Sequence, residues 1–142
     1  MRICVIDGQG GGIGSAIIKQ LRAAFGESVE ICALGTNAIA TTQMLKARAN
    51  RGASGENAIV RSVHKSDIIV GPLGIVMAHA MMGEVTPKIA EAVASCLARK
   101  FLLPLTQEDV EIVGLVPNPL PRLIEMLINE RLRRLIEPPL DT

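Results

Sequence analysis

Arg2-Ile3-Cys4-Val5-Ile6-Asp7-Gly8-Gln9-Gly10-Gly11-Gly12-Ile13-Gly14 is the stretch that decides the fold of this chain. Its first half is a short apolar run closed by glycine, the pattern of a buried strand. Directly after it, Ile13, Ile17, Leu21, Ala24 and Phe25 recur at helical spacing, opposite Lys19 and Arg22, and Gly26 stands where a helix stops. Strand, glycine-rich turn and helix in that order open a Rossmann-type α/β domain. Five of the seven residues from Gly8 to Gly14 are glycine. One or two would supply the positive φ of a turn, and each glycine ordered into regular structure costs roughly 0.5–1 kcal/mol relative to alanine. The excess implies that a ligand approaches the backbone closely. The helix that follows aims its unpaired N–H groups and partial positive charge at the same place, so a phosphate is expected there. A tight turn whose glycines serve only helix–sheet packing is the competing explanation.

Working outward, Val29–Leu34 reads as a second strand ending at Gly35, and Thr36 or Asn37 caps a helix that runs to about Ala49. Residues 50–54 read as a loop, with Ser54 capping a helix over 55–65. Asp67 opens a third strand, Ile68–Val70, which ends at Gly71-Pro72-Leu73-Gly74. Ile75–Met82 reads as a helix apolar on nearly every side, and Thr86-Pro87 starts a helix reaching about Lys100. Phe101–Leu105 is a fourth strand and Val110–Val116 a fifth. Too few residues separate these two for a crossover, so they are expected to pair antiparallel. Arg122–Ile136 reads as an amphipathic helix. There is no repeat, low-complexity tract or interior linker. The expectation is one Rossmann-like three-layer sandwich over residues 1–142, with a mostly parallel sheet of about five strands and the last strand antiparallel.

Composition narrows the function classes. Apolar residues make up 49% of the chain but aromatics only 1%, with two Phe and no Tyr or Trp, so the core is aliphatic. That suits strands covered on both faces. Fifteen basic against fourteen acidic residues leave a net charge of +1, too weak a field to point to nucleic acid or an anionic membrane. Cys4, Cys32 and Cys96 contain no CxxC pair, which indicates neither a disulfide framework nor a zinc site. Cys4 and Cys32 fall inside strands, where a reduced thiol serves as core filler. The longest uncharged run, Ile68–Gly83, is shorter than the ~20 apolar residues of a spanning helix. Met1 leads straight into a strand without a signal segment, so a cytoplasmic location is expected.

In an open parallel sheet, ligands bind beyond the carboxyl ends of the strands. The cofactor-binding residues are therefore expected to be Gly8, Gln9, Gly10, Gly11, Gly12, Ile13 and Gly14 of the first turn, with Thr36 and Asn37 on a sugar or base. Gly71, Pro72 and Gly74 complete the edge. Ser54-Gly55-Glu56-Asn57 can reach it too but reads first as a helix start. Lys46, Arg48, Arg51, Arg61 and Lys65 form a loose basic cluster that would suit the extra phosphate of NADP but read as a solvated face. Met77, His79, Met81 and Met82 are soft donors, yet neighbouring helical residues diverge, and no metal is expected. His64 and His79 are the only histidines. No nucleophile–base constellation is spaced for catalysis; Asp7 and Glu84 are acid–base candidates by position alone. A helix apolar all round over 75–82 needs cover on more than one side, so a homodimer through it is expected.

The spacing Gly8-x-x-x-Gly12-Ile13-Gly14 resembles the cofactor loop of short-chain dehydrogenases, whose glycines flank the pyrophosphate of NAD or NADP. The dinucleotide fingerprint Gly-x-Gly-x-x-Gly fails at Ile13, and no lysine follows Gly14 as in a P-loop. The rest of the dehydrogenase pattern is missing. A chain without tyrosine has no Tyr-x-x-x-Lys, Gly71-Pro72-Leu73-Gly74 replaces Asn-Asn-Ala-Gly, and no acidic residue ends the second strand. The ligand is left open between NAD, NADP and another phosphorylated nucleotide. Over most of its length the chain resembles an uncharacterised bacterial family catalogued as domain of unknown function 3842. That likeness rests on Val5–Gly14, Ala33-Leu34-Gly35-Thr36-Asn37, Gly55–Ile59 and Val70–Ile75, and it implies no activity. A nucleotide- or dinucleotide-phosphate-binding protein is expected, serving as sensor, carrier or partner-dependent enzyme. The alternative is a non-catalytic structural or interaction protein with an empty Rossmann-like crevice.

Overall fold

Ile3 and Val5 point to one face of β1 (Arg2–Asp7), Cys4 and Ile6 to the other, and all four are fully buried. A strand buried on both faces needs a layer above and a layer below. The computed structural model, which describes residues 1–106 and 108–138, shows both. Five parallel strands lie in the order β3-β2-β1-β4-β5, with β2 at Glu30–Gly35, β3 at Arg51–Ser54, β4 at Ile68–Pro72 and β5 at Arg99–Leu103. One face is covered by α1 (Gly12–Phe25), α2 (Ala38–Lys46) and a C-terminal run. That run comprises α5 (Leu120–Met126), a π turn (Leu127–Leu132) and α6 (Arg133–Ile136). The other face is covered by α3 (Glu56–Val63), a 3-10 turn (Leu73–Val76) and α4 (Pro87–Ser95). The chain winds outward from β1 to β3, then returns to the far side of β1 at β4. Strand order therefore reverses between β1 and β4, and their carboxyl ends flank the crevice where such sheets take ligands.

Two strands differ from expectation, and the sheet is wholly parallel. Residues 51–54, read as a loop, form β3. This short edge strand is largely exposed, so it carries no apolar alternation to read. Val110–Val116, expected as the antiparallel last strand, is not a strand. Gly114 has φ 93° and the Leu115 N–H donates to Ile112 O at 3.3 Å, which turns the chain back on itself. β-propensity without a strand to pair with does not make a strand.

Ile75–Met82 is not a helix either. After the 3-10 turn the backbone runs through successive turns to Glu84, with His79, Met81 and Met82 at φ 70°, 57° and 56°. Ile75 and Ala80 are buried in the core, whereas Met82 is 92% exposed. The homodimer contact expected through this segment loses its helical basis, and Met82 offers little of the roughly 800 Å² per partner of a standard interface.

Ends of elements also move. α2 stops at Lys46 and α4 at Ser95, and Lys100 belongs to β5. Ser54 closes β3, so Gly55 (φ 96°) precedes α3 without a side-chain cap. Two expected caps are present: Asn37 Oδ1 accepts the Ala40 N–H at 2.8 Å and Thr86 Oγ1 accepts the Ile89 N–H at 3.2 Å. Arg22, expected in solvent, is buried, where its guanidinium donates to the carbonyls of Arg48, Gly26 and Val29 and to Asn50 Oδ1. No helix among the described residues is long and apolar enough to cross a membrane.

Candidate functional site

The first turn leaves β1 at Asp7, whose carboxylate is 4% exposed. Asp7 Oδ1 accepts the Gly8 N–H and Oδ2 the Gly14 N–H, each at 2.8 Å, and the Ile13 N–H assists. An anion of the chain itself thus stands at the positive end of α1, close to where a phosphate is expected from the sequence. Burial pushes the Asp7 carboxyl above its ordinary value, against the pull of these three N–H groups.

A second carboxylate arrives from the turns before α4. Glu84 Oε1 accepts the Gln9 N–H at 2.9 Å, the Thr36 hydroxyl at 2.6 Å and Asn37 Nδ2–H at 2.7 Å. Desolvation alone would raise the Glu84 carboxyl, but the hydrogen bonds from Thr36, Gln9 and Asn37 outweigh it and hold the group below its ordinary value. Thr36 and Asn37 therefore meet the first turn as expected, with their polar groups turned to a partner within the chain. Nothing in the sequence pattern links Glu84 to them; only the return of the chain to β4 and beyond brings it there.

The five glycines divide into two kinds. A Cβ at Gly8 would stand 2.4 Å from Thr36 Oγ1 and 2.7 Å from Met81 Sδ, and one at Gly14 would stand 2.5 Å from Met44 Sδ. Gly11 combines φ 73° with an approach of 2.8 Å to Ala40 O. These three are glycine because the fold requires it. At Gly10 and Gly12 φ is not positive and nothing lies within 4 Å of an added Cβ. The Gly11 N–H donates to Gly8 O at 2.9 Å. Among the described residues, the N–H groups of Gly10 and Gly12 have no acceptor.

Two cavities flank this turn. The inner one, about 300 Å³, lies between the ends of β1 and β4 and is lined by Asp7, Gln9, Ile13, Pro72, Gly74 and Glu108, among others. The outer groove, about 780 Å³, runs between α1 and α5 from Gly10 and Gly12 past Ser15, Lys19 and Gln43 to Arg133. Gly71 lines neither; a Cβ there would stand 2.5 Å from Ile6 O, so its role is the close approach of β4 to β1. Ser15, Lys19 and Gln43 carry no motif, and sequence reasoning passes them by. The Ser54–Asn57 stretch is taken up in packing: Ser54 Oγ donates to Thr41 Oγ1 at 2.7 Å and Glu56 accepts from Thr86 at 2.6 Å. Arg48 and Arg51 of the basic cluster pair with Glu27 and Glu30 at 3.1 and 2.9 Å and line neither cavity. Among the described residues no group of three or more His, Cys, Asp or Glu is placed to hold a metal.

Comparison with known proteins adds a family and little else. No curated protein matches the chain. A solved structure, the dodecameric FMN-dependent UbiX-like decarboxylase from Escherichia coli O157:H7, is 14% identical over 95% of this chain and 94% of that one, with a TM-score of 0.46. So loose a likeness says nothing of ligand, reaction or assembly here. The dehydrogenase resemblance stays confined to the glycine spacing of one turn. A family model described as domain of unknown function (DUF3842) matches residues 2–136, nearly the whole chain. This protein belongs to that family.

Proposed function

We infer that the protein binds a small phosphorylated, nucleotide-type ligand on the outer side of its first turn, with the anion at the Gly10 and Gly12 N–H groups. One observation carries this: two glycines that the fold does not require, at the N-terminus of a 14-residue helix, present N–H groups that have no acceptor among the described residues, at the mouth of a groove. Lys19 lines the same groove about 10 Å further along α1. A nucleoside diphosphate or a dinucleotide such as NAD or NADP is long enough to engage both. The inner crevice, lined by Asp7 and Glu108, suits an uncharged part of the ligand and disfavours a second phosphate. The acidic groups of the turn, Asp7 and Glu84, are engaged as acceptors of its Gly8, Gly14 and Gln9 N–H groups, which favours a sensor, carrier or partner-dependent enzyme over an unaided catalyst.

A thermal-shift panel of NAD, NADP, ATP, GTP, FMN and S-adenosylmethionine tests this reading. At least one should raise Tm, by the equivalent of about 2.7 kcal/mol at a hundred times its Kd. Gly12→Asp should keep the unliganded Tm, because the site is open and an acidic residue suits a helix N-terminus, yet lose the ligand shift. Six flat responses, or a shift that survives Gly12→Asp, would contradict it.

A second reading, an interaction module with an empty crevice, is favoured by a different surface. Val110, Ile112, Val113, Leu115 and Val116 are all at least 45% exposed on one short segment, a concentration of apolar side chains that a partner would cover.

A further inference from the structure

Gln9 and Ile13 line the inner cavity, whereas Gly10 and Gly12 beside them line the outer groove. Neighbouring Cα atoms stand about 3.8 Å apart, so only the backbone of the first turn separates the two spaces. Nothing lies within 4 Å of a Cβ added at Gly10. A ligand crossing the turn there meets no side chain, which gives a purpose to a glycine that the fold does not require. The inner cavity, about 300 Å³, is at the small end of ligand pockets, a size for a base rather than a whole nucleotide. No Lys, Arg or His stands among its described lining residues, and Ile13, Pro72, Met81 and Leu105 give it aliphatic walls. Its charged groups are all acceptors. The Asp7 carboxylate has about four acceptor sites, and the Gly8, Gly14 and Ile13 N–H groups use three of them. Burial pushes it above its ordinary value, as befits a carboxylate short of donors. Glu108 Oε1 accepts the Met81 N–H at 3.2 Å, and Oε2 has no donor among the described residues. The Gln9 side-chain amide has no partner among them either and can both donate and accept.

We propose that the inner cavity takes guanine as the base of the bound nucleotide, an assignment that rests on the anion site at Gly10 and Gly12. A base drawn into a pocket is read by hydrogen bonds to its Watson–Crick edge. Guanine alone among the common bases sets two donors side by side on that edge, N1–H and the N2 amino group. These donate to Asp7 and Glu108, and the Gln9 amide donates to O6. Adenine and cytosine place one amino group next to a bare ring nitrogen, whose lone pair would face a carboxylate. Uracil and the flavin ring each set a single N–H between two carbonyls. A site built of buried acceptors rejects a ligand without the matching donors, because those acceptors are then left unpaired. The ring faces pack on the aliphatic walls, where the Met81 sulfur makes a favourable contact with an aromatic ring.

Isothermal titration calorimetry of the full chain with GDP, IDP, ADP and pyrophosphate separates base from anion. GDP should bind about a hundredfold tighter than ADP and about tenfold tighter than IDP, whose base lacks the N2 amino group. Glu108→Gln keeps an acceptor oxygen without the charge, so it should weaken GDP about tenfold and leave pyrophosphate unchanged. The wild-type comparison of GDP with ADP decides the matter even where that variant fails to fold. Equal affinities for GDP and ADP, with pyrophosphate still bound, would overturn the guanine assignment and leave the anion site standing. No binding of any of the four ligands would overturn both.

Discussion

Gly8, Gly11 and Gly14 share one turn with Gly10 and Gly12, yet the two sets are glycine for different reasons. The first set is forced by contacts: Thr36 and Met81 crowd Gly8, Ala40 crowds Gly11 at a positive φ, and Met44 crowds Gly14. The second set meets nothing. The donors divide in the same way. Asp7 takes the N–H groups of Gly8 and Gly14, Glu84 takes that of Gln9, and those of Gly10 and Gly12 have no acceptor among the described residues. A glycine count alone overstates the case for a ligand, because packing explains three of the five. What packing leaves over is smaller and more specific.

The largest expected effect separates the two sets directly. Gly11→Val should cost roughly 2–5 kcal/mol, combining a left-handed backbone with overpacking against Ala40. Its midpoint in urea would show this, and Gly12→Val should lose less than about 1 kcal/mol by the same measurement. Equal losses would erase the distinction.

Asp7→Ala comes next. It leaves the Gly8 and Gly14 N–H groups without an acceptor and should cost about 1–3 kcal/mol. The Asp7 carboxyl is raised by burial, so its contribution is greatest below its ordinary value and declines as pH rises through its folded value. Urea denaturation between about pH 3 and pH 7 should show that decline in wild type and its absence in Asp7→Ala.

Glu84→Gln should cost less, about 0.5–1.5 kcal/mol, because the amide oxygen can keep part of the acceptor role. Its pH effect has the opposite sign. The Glu84 carboxyl is depressed, so its contribution is present above its ordinary value and lost as pH falls through its folded value. The same acid titration of stability should flatten at its low end in Glu84→Gln. Smallest of all, Gly10→Ala and Gly12→Ala should gain about 0.4–1 kcal/mol, since the native backbone accepts a side chain and the unfolded chain loses freedom.

Elements that bury both faces were readable from the chain. Ile3–Ile6, Ile31–Leu34 and Ile68–Val70 are continuous apolar runs because helices cover them above and below. β3 was not readable, since Arg51-Gly52-Ala53-Ser54 gains its place by pairing with β2 and buries little. Val110–Val116 misled in the opposite sense, with strand-forming residues and no strand beside them. Ile75–Met82 misled because an all-apolar stretch has no polar face from which a period can be read. At the site, the glycine turn and its meeting with Thr36 and Asn37 were legible. Glu84 was a candidate by position alone; its bond to Gln9, 75 residues away, was not legible, since no local rule spans that separation. Arg22 sits on the face that spacing assigns to solvent but is held inside by carbonyls that only the folded loops present.

Backbone amide resonances of the five glycines, followed by NMR as ADP or pyrophosphate is added, test the division of donors most directly. The expected result is that the Gly10 and Gly12 amides shift while those of Gly8, Gly11 and Gly14 hold still. Movement of the Gly8 and Gly14 amides instead, as the Asp7 carboxylate gives way, or no movement in any of the five, would contradict it.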